Sequence, residues 1–154
     1  MKISISNRQK DLPLPPKKAI CSLVTAILKY EGCTTDEVGL FFVSNKEMCA
    51  LHEQFFHDPS PTDCMAFPMD TSYLGDIFIC PYTAITYAKK KKLDPYKEVT
   101  LYIVHAILHL LGYDDLDPSK RKKMRQKERI HMKQLEKAEL VLQTQLATYL
   151  PAQG

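Results

Sequence analysis

The sequence predicts an α+β fold, in which a small mixed sheet of about four strands packs with five to six helices. Short β-prone segments alternate along the chain with longer segments of helical periodicity, an order that places helices on the faces of a sheet. Two β-prone segments, 62–67 and 77–80, follow each other closely enough to pair antiparallel. The sheet is therefore expected to be mixed rather than wholly parallel.

Each predicted element has a local signal in the sequence. Strands are predicted where side chains alternate or where β-branched and aromatic residues cluster, at residues 2–6, 37–43, 64–67 and 77–80. Helices are predicted where apolar residues recur at spacings of three and four, at residues 17–30, 46–56, 82–92, 96–111 and 118–148. The resulting order is β-α-β-α-β-β-α-α-α.

Capping residues mark several of the predicted helix ends. Ser44 or Asn45 can cap the second helix, and Asp117 can cap the last one. Pro81 and Pro118 are tolerated in a first helical turn, where their missing N–H has no partner anyway. Residues 151–154 are expected to fray.

Length and composition are typical of one soluble domain spanning residues 1–154. We find no signal-peptide pattern and no run of 18 apolar residues, so we expect no membrane span and a cytoplasmic location. The five cysteines are scattered and form no C-x-x-C pair, which favours reduced thiols over a disulfide framework.

The fourth predicted helix carries the strongest chemical signal. His105 and His109 stand four residues apart in an apolar segment, so both imidazoles lie on one face, about a turn apart. Gly112 can end the helix by adopting a positive φ, and Asp114 and Asp115 follow it. A chain that reverses at Gly112 can return a carboxylate to the imidazoles. The pattern predicts a three-ligand metal site with open positions at the end of this central helix.

On spacing alone, two other interpretations of these histidines stay open. They can be structural core residues, because short motifs match by chance. They can also belong to a metal-dependent hydrolase acting on another substrate, such as a peptide. Peptidases of the H-E-x-x-H type carry a Glu after the first His as general base, but Ala106 occupies that position here. This helix can hold a metal but does not supply that base.

Basic residues concentrate at two places although the formal net charge is only +3. The third helix ends in Lys89, Lys90, Lys91 and Lys92, and the last helix opens with a basic segment that includes Arg121, Lys122 and Arg125. One interpretation is a solvated face that covers one side of the domain. The other is a surface that contacts phosphate groups, such as those of a nucleic acid.

Other polar residues have local explanations. Asp63 and Asp76 follow turn signals, and either cap backbone groups or shape a cleft beside the site. Tyr113 is expected to pack under the turn that follows the histidine helix rather than to act as a catalytic hydroxyl. His52 and His131 are expected at the surface of their helices.

Three segments together follow the pattern of a known family. They are Pro61–Pro68 (PTDCMAFP), Leu74–Cys80 (LGDIFIC) and His105–Asp115 (HAILHLLGYDD). In this order they resemble the YbeY family of bacterial ribosomal-RNA maturation factors, and the resemblance extends from the first strand to the basic last helix.

The resemblance implies a single-strand-specific, metal-dependent endoribonuclease that matures the 3′ end of 16S rRNA and contributes to ribosome assembly. It implies one divalent metal, with Zn²⁺ as the first candidate, held by His105, His109 and Asp115. The implied partners are ribosomal RNA and the small-subunit precursor, with a ribosomal protein or an assembly GTPase as further candidates and no membrane. A non-catalytic assembly factor with a structural metal is the alternative.

Two positions depart from the family pattern at places that bear on catalysis. The third metal ligand of the family is usually His, and Asp115 stands there in this chain. The family often has an Arg implicated in activity where this chain has His57. By the resemblance His57 is the catalytic candidate that orients a phosphate, although it carries a full charge only at lower pH. Asp117 is a fallback ligand, two residues off the pattern.

Overall fold

A computed structural model describes residues 1–144 and shows an α+β fold with one four-stranded sheet. The strands are β1 (Lys2–Arg8), β2 (Glu37–Val43), β3 (Cys64–Pro68) and β4 (Tyr73–Ile79). Their order in the sheet is β1-β2-β4-β3, in which β1, β2 and β4 are parallel neighbours and β3 pairs antiparallel with β4. The predicted fold class and the mixed sheet are confirmed.

Five helices accompany the sheet within residues 1–144. They are α1 (Lys17–Tyr30), α2 (Asn45–Phe56), α3 (Pro81–Lys91), α4 (Pro95–Leu110) and α5 (Pro118–Lys137). Ser44 and Asp117 cap α2 and α5 by accepting hydrogen bonds from backbone N–H groups of the first turn. Pro81 and Pro118 lie in first turns as predicted.

Helix α4 is the central helix of the fold. Ten of its sixteen residues are buried, and it packs against β3, β4, α1, α3 and α5. Its apolar side chains join those of α1 and of the strands in the main core. A helix surrounded in this way can present polar side chains to solvent most easily near an end. The two histidines lie in its last turns, where the chain leaves the core.

The first and last strands of the predicted set extend beyond their predicted limits. Strand β1 continues to Arg8, and β4 begins at Tyr73 rather than at Ile77. The added part of β4 contains Gly75 and Asp76, which are not β-prone, and its strand conformation comes from pairing with β2 on one side and β3 on the other. A Cβ at Gly75 would collide with the backbone carbonyl oxygen of Phe67, so this close pairing requires glycine.

The predicted end of the last helix at residue 148 is wrong, because α5 ends at Lys137. Glu139 adopts a left-handed conformation with φ +58°, and the Leu140 N–H donates to the Leu135 carbonyl at 2.8 Å. This turn directs Leu142 into the core, where its N–H donates to the Thr100 hydroxyl at 3.1 Å. Glutamate is an unusual residue in this conformation, so the sequence gives no stop signal. Residues 145–148 of that prediction, and the predicted frayed end at 151–154, lie outside the described residues.

Two further sequence predictions concern burial and thiols. His131 was expected at the surface, but it is only 1% exposed, since α5 turns it towards the C-terminal end of α1. All five cysteines are free thiols, as predicted. Among residues 1–144, no helix combines the length and the apolar character that a bilayer crossing needs.

Candidate metal centre

His105 and His109 face each other on the last turns of α4. Their Nε2 atoms are 3.0 Å apart, and the rings meet edge to face with centroids 4.6 Å apart. The side chains are 24% and 29% exposed, so each ring is rooted in the core while its outer nitrogen reaches solvent. The predicted placement of both imidazoles on one helix face is therefore confirmed.

The turn after α4 returns Asp115 to the two imidazoles. The Tyr113 N–H donates to the Leu108 carbonyl and the Gly112 N–H to the His109 carbonyl, both at 3.1 Å. These two bonds form the Schellman motif, which needs a left-handed residue, and Gly112 supplies it with φ +98°. The Asp115 Oδ2 atom then lies 3.7 Å from the His105 Nε2 and 3.9 Å from the His109 Nε2.

The spacing of these three donor atoms fits a single divalent cation. Zinc bound tetrahedrally at about 2.0–2.2 Å holds its ligand atoms about 3.3–3.6 Å from one another. The separations of 3.0, 3.7 and 3.9 Å bracket that range, and one donor atom from each of the three residues lies within 4.8 Å of the others. Two imidazoles and one carboxylate leave at least one coordination position for water or substrate.

Glu128 is a residue of the candidate site that sequence reasoning missed. Its Oε2 atom lies 2.9 Å from the Nδ1 of His105. A carboxylate at this distance accepts the Nδ1 proton, which leaves a lone pair on the Nε2 that faces His109 and Asp115. Metal-bound histidines commonly have such a carboxylate partner. The signal lay in the helical periodicity of α5, because Glu128 is one turn beyond the buried Met124 and shares its inward face.

The electrostatic environment separates the two histidines. Burial lowers the pKa of His105, but the hydrogen bond to Glu128 and the negative charges of Glu128, Asp63 and Asp115 outweigh it, so this pKa lies above its ordinary value. Burial and the charge of His105 lower the pKa of His109. In the absence of a cation, His105 is therefore the histidine that binds a proton more readily. A metal must displace that proton.

A cavity of about 590 Å³ is lined by two of the three candidate ligands, His105 and Asp115. It is lined by Pro61, Thr62, Asp63, Thr83, Tyr87, Glu98, Leu101, Tyr102, His105, Asp115, Arg121, Met124, Arg125 and Glu128. This volume is in the range of sites that hold small organic ligands. The cavity therefore gives a substrate access to the open side of the ligand cluster.

Part of the predicted basic surface borders this cavity. Arg121 and Arg125 line it from α5, and the Arg121 guanidinium also donates to the Asp115 carbonyl at 3.3 Å. Lys122 is exposed on α5 but is not a lining residue. The four lysines at the end of α3 are exposed as well, in the chain segment after the lining residues Thr83 and Tyr87. Of the seven predicted RNA-binding residues, Arg121 and Arg125 line the cavity beside the candidate ligands, whereas the five lysines do not.

The structure does not place His57 with the ligands. It is an exposed residue that follows α2 in a left-handed conformation with φ +57°, and it is not among the residues that line the cavity. Its proposed role in orienting a phosphate stays a prediction. A left-handed conformation costs a non-glycine residue about 1 kcal/mol or more.

The remaining candidates have structural roles close to those predicted. Asp117 caps α5 rather than acting as a fallback ligand, and Asp114 accepts from the Leu116 N–H. Asp76 accepts a hydrogen bond from the hydroxyl of Tyr73, whereas Asp63 lines the cavity. Tyr113 packs against the core, and the ammonium groups of two lysines of α5, Lys123 and Lys127, lie over its ring at 5.6 and 5.2 Å.

Fold and site together define an α+β protein with a His–His–Asp cluster at the end of its central helix. The sequence profile described as "Endoribonuclease YbeY" matches residues 4–136. The chain is 44% identical to "Endoribonuclease YbeY" of Protochlamydia amoebophila over 91% of its length and 97% of that protein. It is 41% identical to the protein of the same name in Chlamydia felis, covering 83% of this chain and 87% of that one.

A solved structure agrees with these sequence relationships. The solution structure of TM1509 from Thermotoga maritima superposes with a TM-score of 0.61 at 28% identity, over 85% of this chain and 87% of that one. The chain belongs to the YbeY endoribonuclease family, which confirms the resemblance seen in the sequence.

Proposed function

We propose that this protein is a metal-dependent endoribonuclease that cleaves single-stranded ribosomal RNA during maturation of the 16S 3′ end. The observation that carries the proposal is the cluster of His105, His109 and Asp115 at the mouth of a cavity that Arg121 and Arg125 border. Membership of an endoribonuclease family supports the reaction class.

The residues have separate roles in this reaction. His105, His109 and Asp115 would hold the metal, with Zn²⁺ as the first candidate, and Glu128 fixes the His105 ring in the orientation that presents its Nε2. A divalent metal held at this position would supply Lewis-acid chemistry, by which it would polarise a phosphoryl oxygen and make water more acidic. Arg121 and Arg125 can bind phosphate oxygens through paired N–H donors. The cavity keeps the scissile phosphate beside the ligands.

The proposed partners follow from the substrate. The exposed lysines at the end of α3, together with Lys122, add positive charge around the cavity for contact with an RNA backbone. We propose the small-subunit precursor as the assembly that presents the RNA, with a ribosomal protein or an assembly GTPase as further partners. This function would place the protein in the bacterial cytoplasm, where ribosomes assemble.

The test is cleavage of structured 16S rRNA fragments by metal-free protein before and after addition of zinc. We expect cleavage to depend on the metal and to be lost in the His105→Ala, His109→Ala double variant. His52→Ala is the matched control, because this histidine lies on α2 and is not a cavity residue. Full cleavage by the double variant would overturn the proposal.

A non-catalytic assembly factor with a structural metal is the second candidate. The position of His57 favours this candidate, because His57 is exposed and is not among the cavity residues. The residue that stands in place of the family's arginine is therefore not at the cavity. This candidate predicts that a folded variant without the metal ligands still binds the small-subunit precursor, and that zinc-loaded wild-type protein cleaves none of the fragments.

A further inference from the structure

The cavity extends well beyond the space that a metal and a phosphate need. Along α4 its lining runs from His105 to Leu101 and Tyr102 and then to Glu98. Glu98 lies seven positions before His105, which is about two helical turns or about 10.5 Å. A nucleotide covers a comparable length between its phosphate and the far edge of its base. A nucleotide whose phosphate lies at the ligands can therefore bring its base edge to Glu98.

The chemistry of the lining changes along this length. Beside the ligands it mixes the two signs of charge, because Arg121 donates to the Asp115 carbonyl and Glu128 contacts the His105 ring. The far part of α4 contributes Glu98, and Asp63 is near both ends, because its negative charge helps to raise the pKa of His105 and that of Glu98. A phosphate at the ligands can contact Arg121, and a base that extends along α4 from there meets the carboxylates of Asp63 and Glu98.

Glu98 is available as an acceptor to a ligand. Within the described part of the chain, no protein donor makes a hydrogen bond to its carboxylate, although the charge of Lys97 acts on it. One Asp63 carboxylate oxygen accepts the Cys64 N–H at 2.7 Å, which fixes the orientation of that side chain. Tyr87 adds a 44% exposed phenol ring to the same lining, and an exposed ring can stack on a base.

We infer that this cavity selects the base next to the scissile phosphate and prefers one with an exocyclic amino group over uracil. The inference rests on the proposed function. Carboxylates accept hydrogen bonds from the amino groups of cytosine, adenine and guanine. Uracil has a single N–H between two carbonyl oxygens, and those oxygens face the carboxylates unfavourably. Glu98 is thus a specificity-determining residue for the nuclease reaction.

The experiment compares kcat/KM for single-stranded RNAs that differ only in the nucleotides flanking the cleaved bond. For zinc-loaded wild-type protein we expect cytidine on one side of the bond to exceed uridine by about fivefold or more. Glu98→Gln keeps the side-chain volume but adds an amide donor that uracil can use, so the ratio should fall towards one. Glu53→Gln, at an exposed position of α2, is the matched control and should keep the wild-type ratio.

A second readout measures binding without cleavage. Metal-free wild-type protein should bind a short RNA with 2′-O-methyl groups more tightly with cytidine than with uridine at the same position, and Glu98→Gln should abolish that difference. Equal kcat/KM for both RNAs with wild-type protein would overturn the inference while the nuclease function stands. A preference that survives in Glu98→Gln would overturn it as well. Absence of all zinc-dependent cleavage would overturn it together with the proposed function.

Discussion

Helix α5 contributes to two histidine–glutamate pairs whose surroundings differ. Glu128 of α5 contacts the Nδ1 of His105 at 2.9 Å. Three residues further on, His131 of α5 contacts Glu31 at the end of α1, with 2.8 Å between its Nε2 and the carboxylate. The local chemistry is the same, an imidazole nitrogen beside a carboxylate oxygen.

The second nitrogen of each ring has a different environment. The Nε2 of His105 faces the imidazole of His109 and the carboxylate of Asp115, and the His105 side chain lines the cavity. His131 is enclosed, with its side chain 2% exposed and the edge-on ring of Tyr30 at 5.0 Å. Lys127 also contacts Glu31, at 3.3 Å from both carboxylate oxygens. The first pair can bind a cation, whereas the second is completed by protein groups and ties α5 to α1.

The comparison shows that the candidate metal site is distinguished by the second imidazole nitrogen, which meets other donors at His105 but is enclosed by protein at His131. The two pairs are also connected, because Lys127 contacts both Glu31 and the ring of Tyr113 in the turn that carries Asp115. The buried pair therefore stabilises the position of α5, and α5 in turn positions Glu128 and the two cavity arginines.

The largest expected effect is loss of metal from the His109→Ala variant. Structural zinc sites bind with apparent free energies of about 10 kcal/mol or more, so removal of one of three donors should weaken binding about a thousandfold. Elemental analysis should find one equivalent of metal in wild-type protein and almost none in the variant. The same analysis of His131→Ala should still find one equivalent. If His131→Ala loses the metal and His109→Ala retains it, our assignment of the two pairs is wrong.

The next effect is on stability and belongs to the buried pair. His131→Ala removes a ring that packs against Tyr30 and leaves the buried Glu31 with Lys127 alone, which should lower the free energy of unfolding by about 3 kcal/mol. Urea unfolding of metal-free proteins measures this difference. His109→Ala should lower the free energy of unfolding by less in the same assay. Its ring is partly exposed, and its removal leaves no buried charge without a partner.

A smaller effect is expected from Glu128→Gln. The amide can still accept the Nδ1 proton of His105 but supplies no charge, so metal affinity should fall about tenfold. The loss of that charge should also lower the pKa of His105, so proton competition with the metal should begin at a lower pH than in wild-type protein. Competition with a chelating dye across pH 5 to 8 measures both changes. Glu31→Gln is the matched control and should leave metal affinity unchanged.

The smallest expected effect is a change in the acid sensitivity of folding. Burial raises the pKa of Glu31, but hydrogen bonds from His131 and Lys127 and their charges outweigh it, so this pKa lies below the ordinary value of 4.5. A lowered pKa in the folded state gives stability that is present above pH 4.5 and is lost as the pH falls through the folded value.

Unfolding measured at pH 7 and again below pH 4.5 should therefore show a smaller loss of stability in Glu31→Gln than in wild-type protein. Glu53→Gln, on the exposed side of α2, should lose as much as wild type. An equal acid sensitivity of Glu31→Gln and wild-type protein would show that the pair contributes nothing to this dependence.

The sequence by itself determined the fold class, the order of the nine elements within residues 1–144 and the three candidate ligands, because these depend on local patterns. Helical spacing places His105 and His109 on one face wherever the helix lies, and Gly112 makes the reversal to Asp115 possible through its own conformational freedom. These are short-range properties that neighbouring residues fix.

Only the tertiary structure decided which distant groups complete the site. Glu128 is 23 residues from His105 and Glu31 is 100 residues from His131, and helical periodicity predicts an inward face without naming its partner. The end of α5 is equally non-local, since burial of Leu142 against α4 turns the chain at a glutamate. Packing of α5 across α4 and α1 selects these contacts, because burial of apolar surface stabilises one arrangement of the helices over the others.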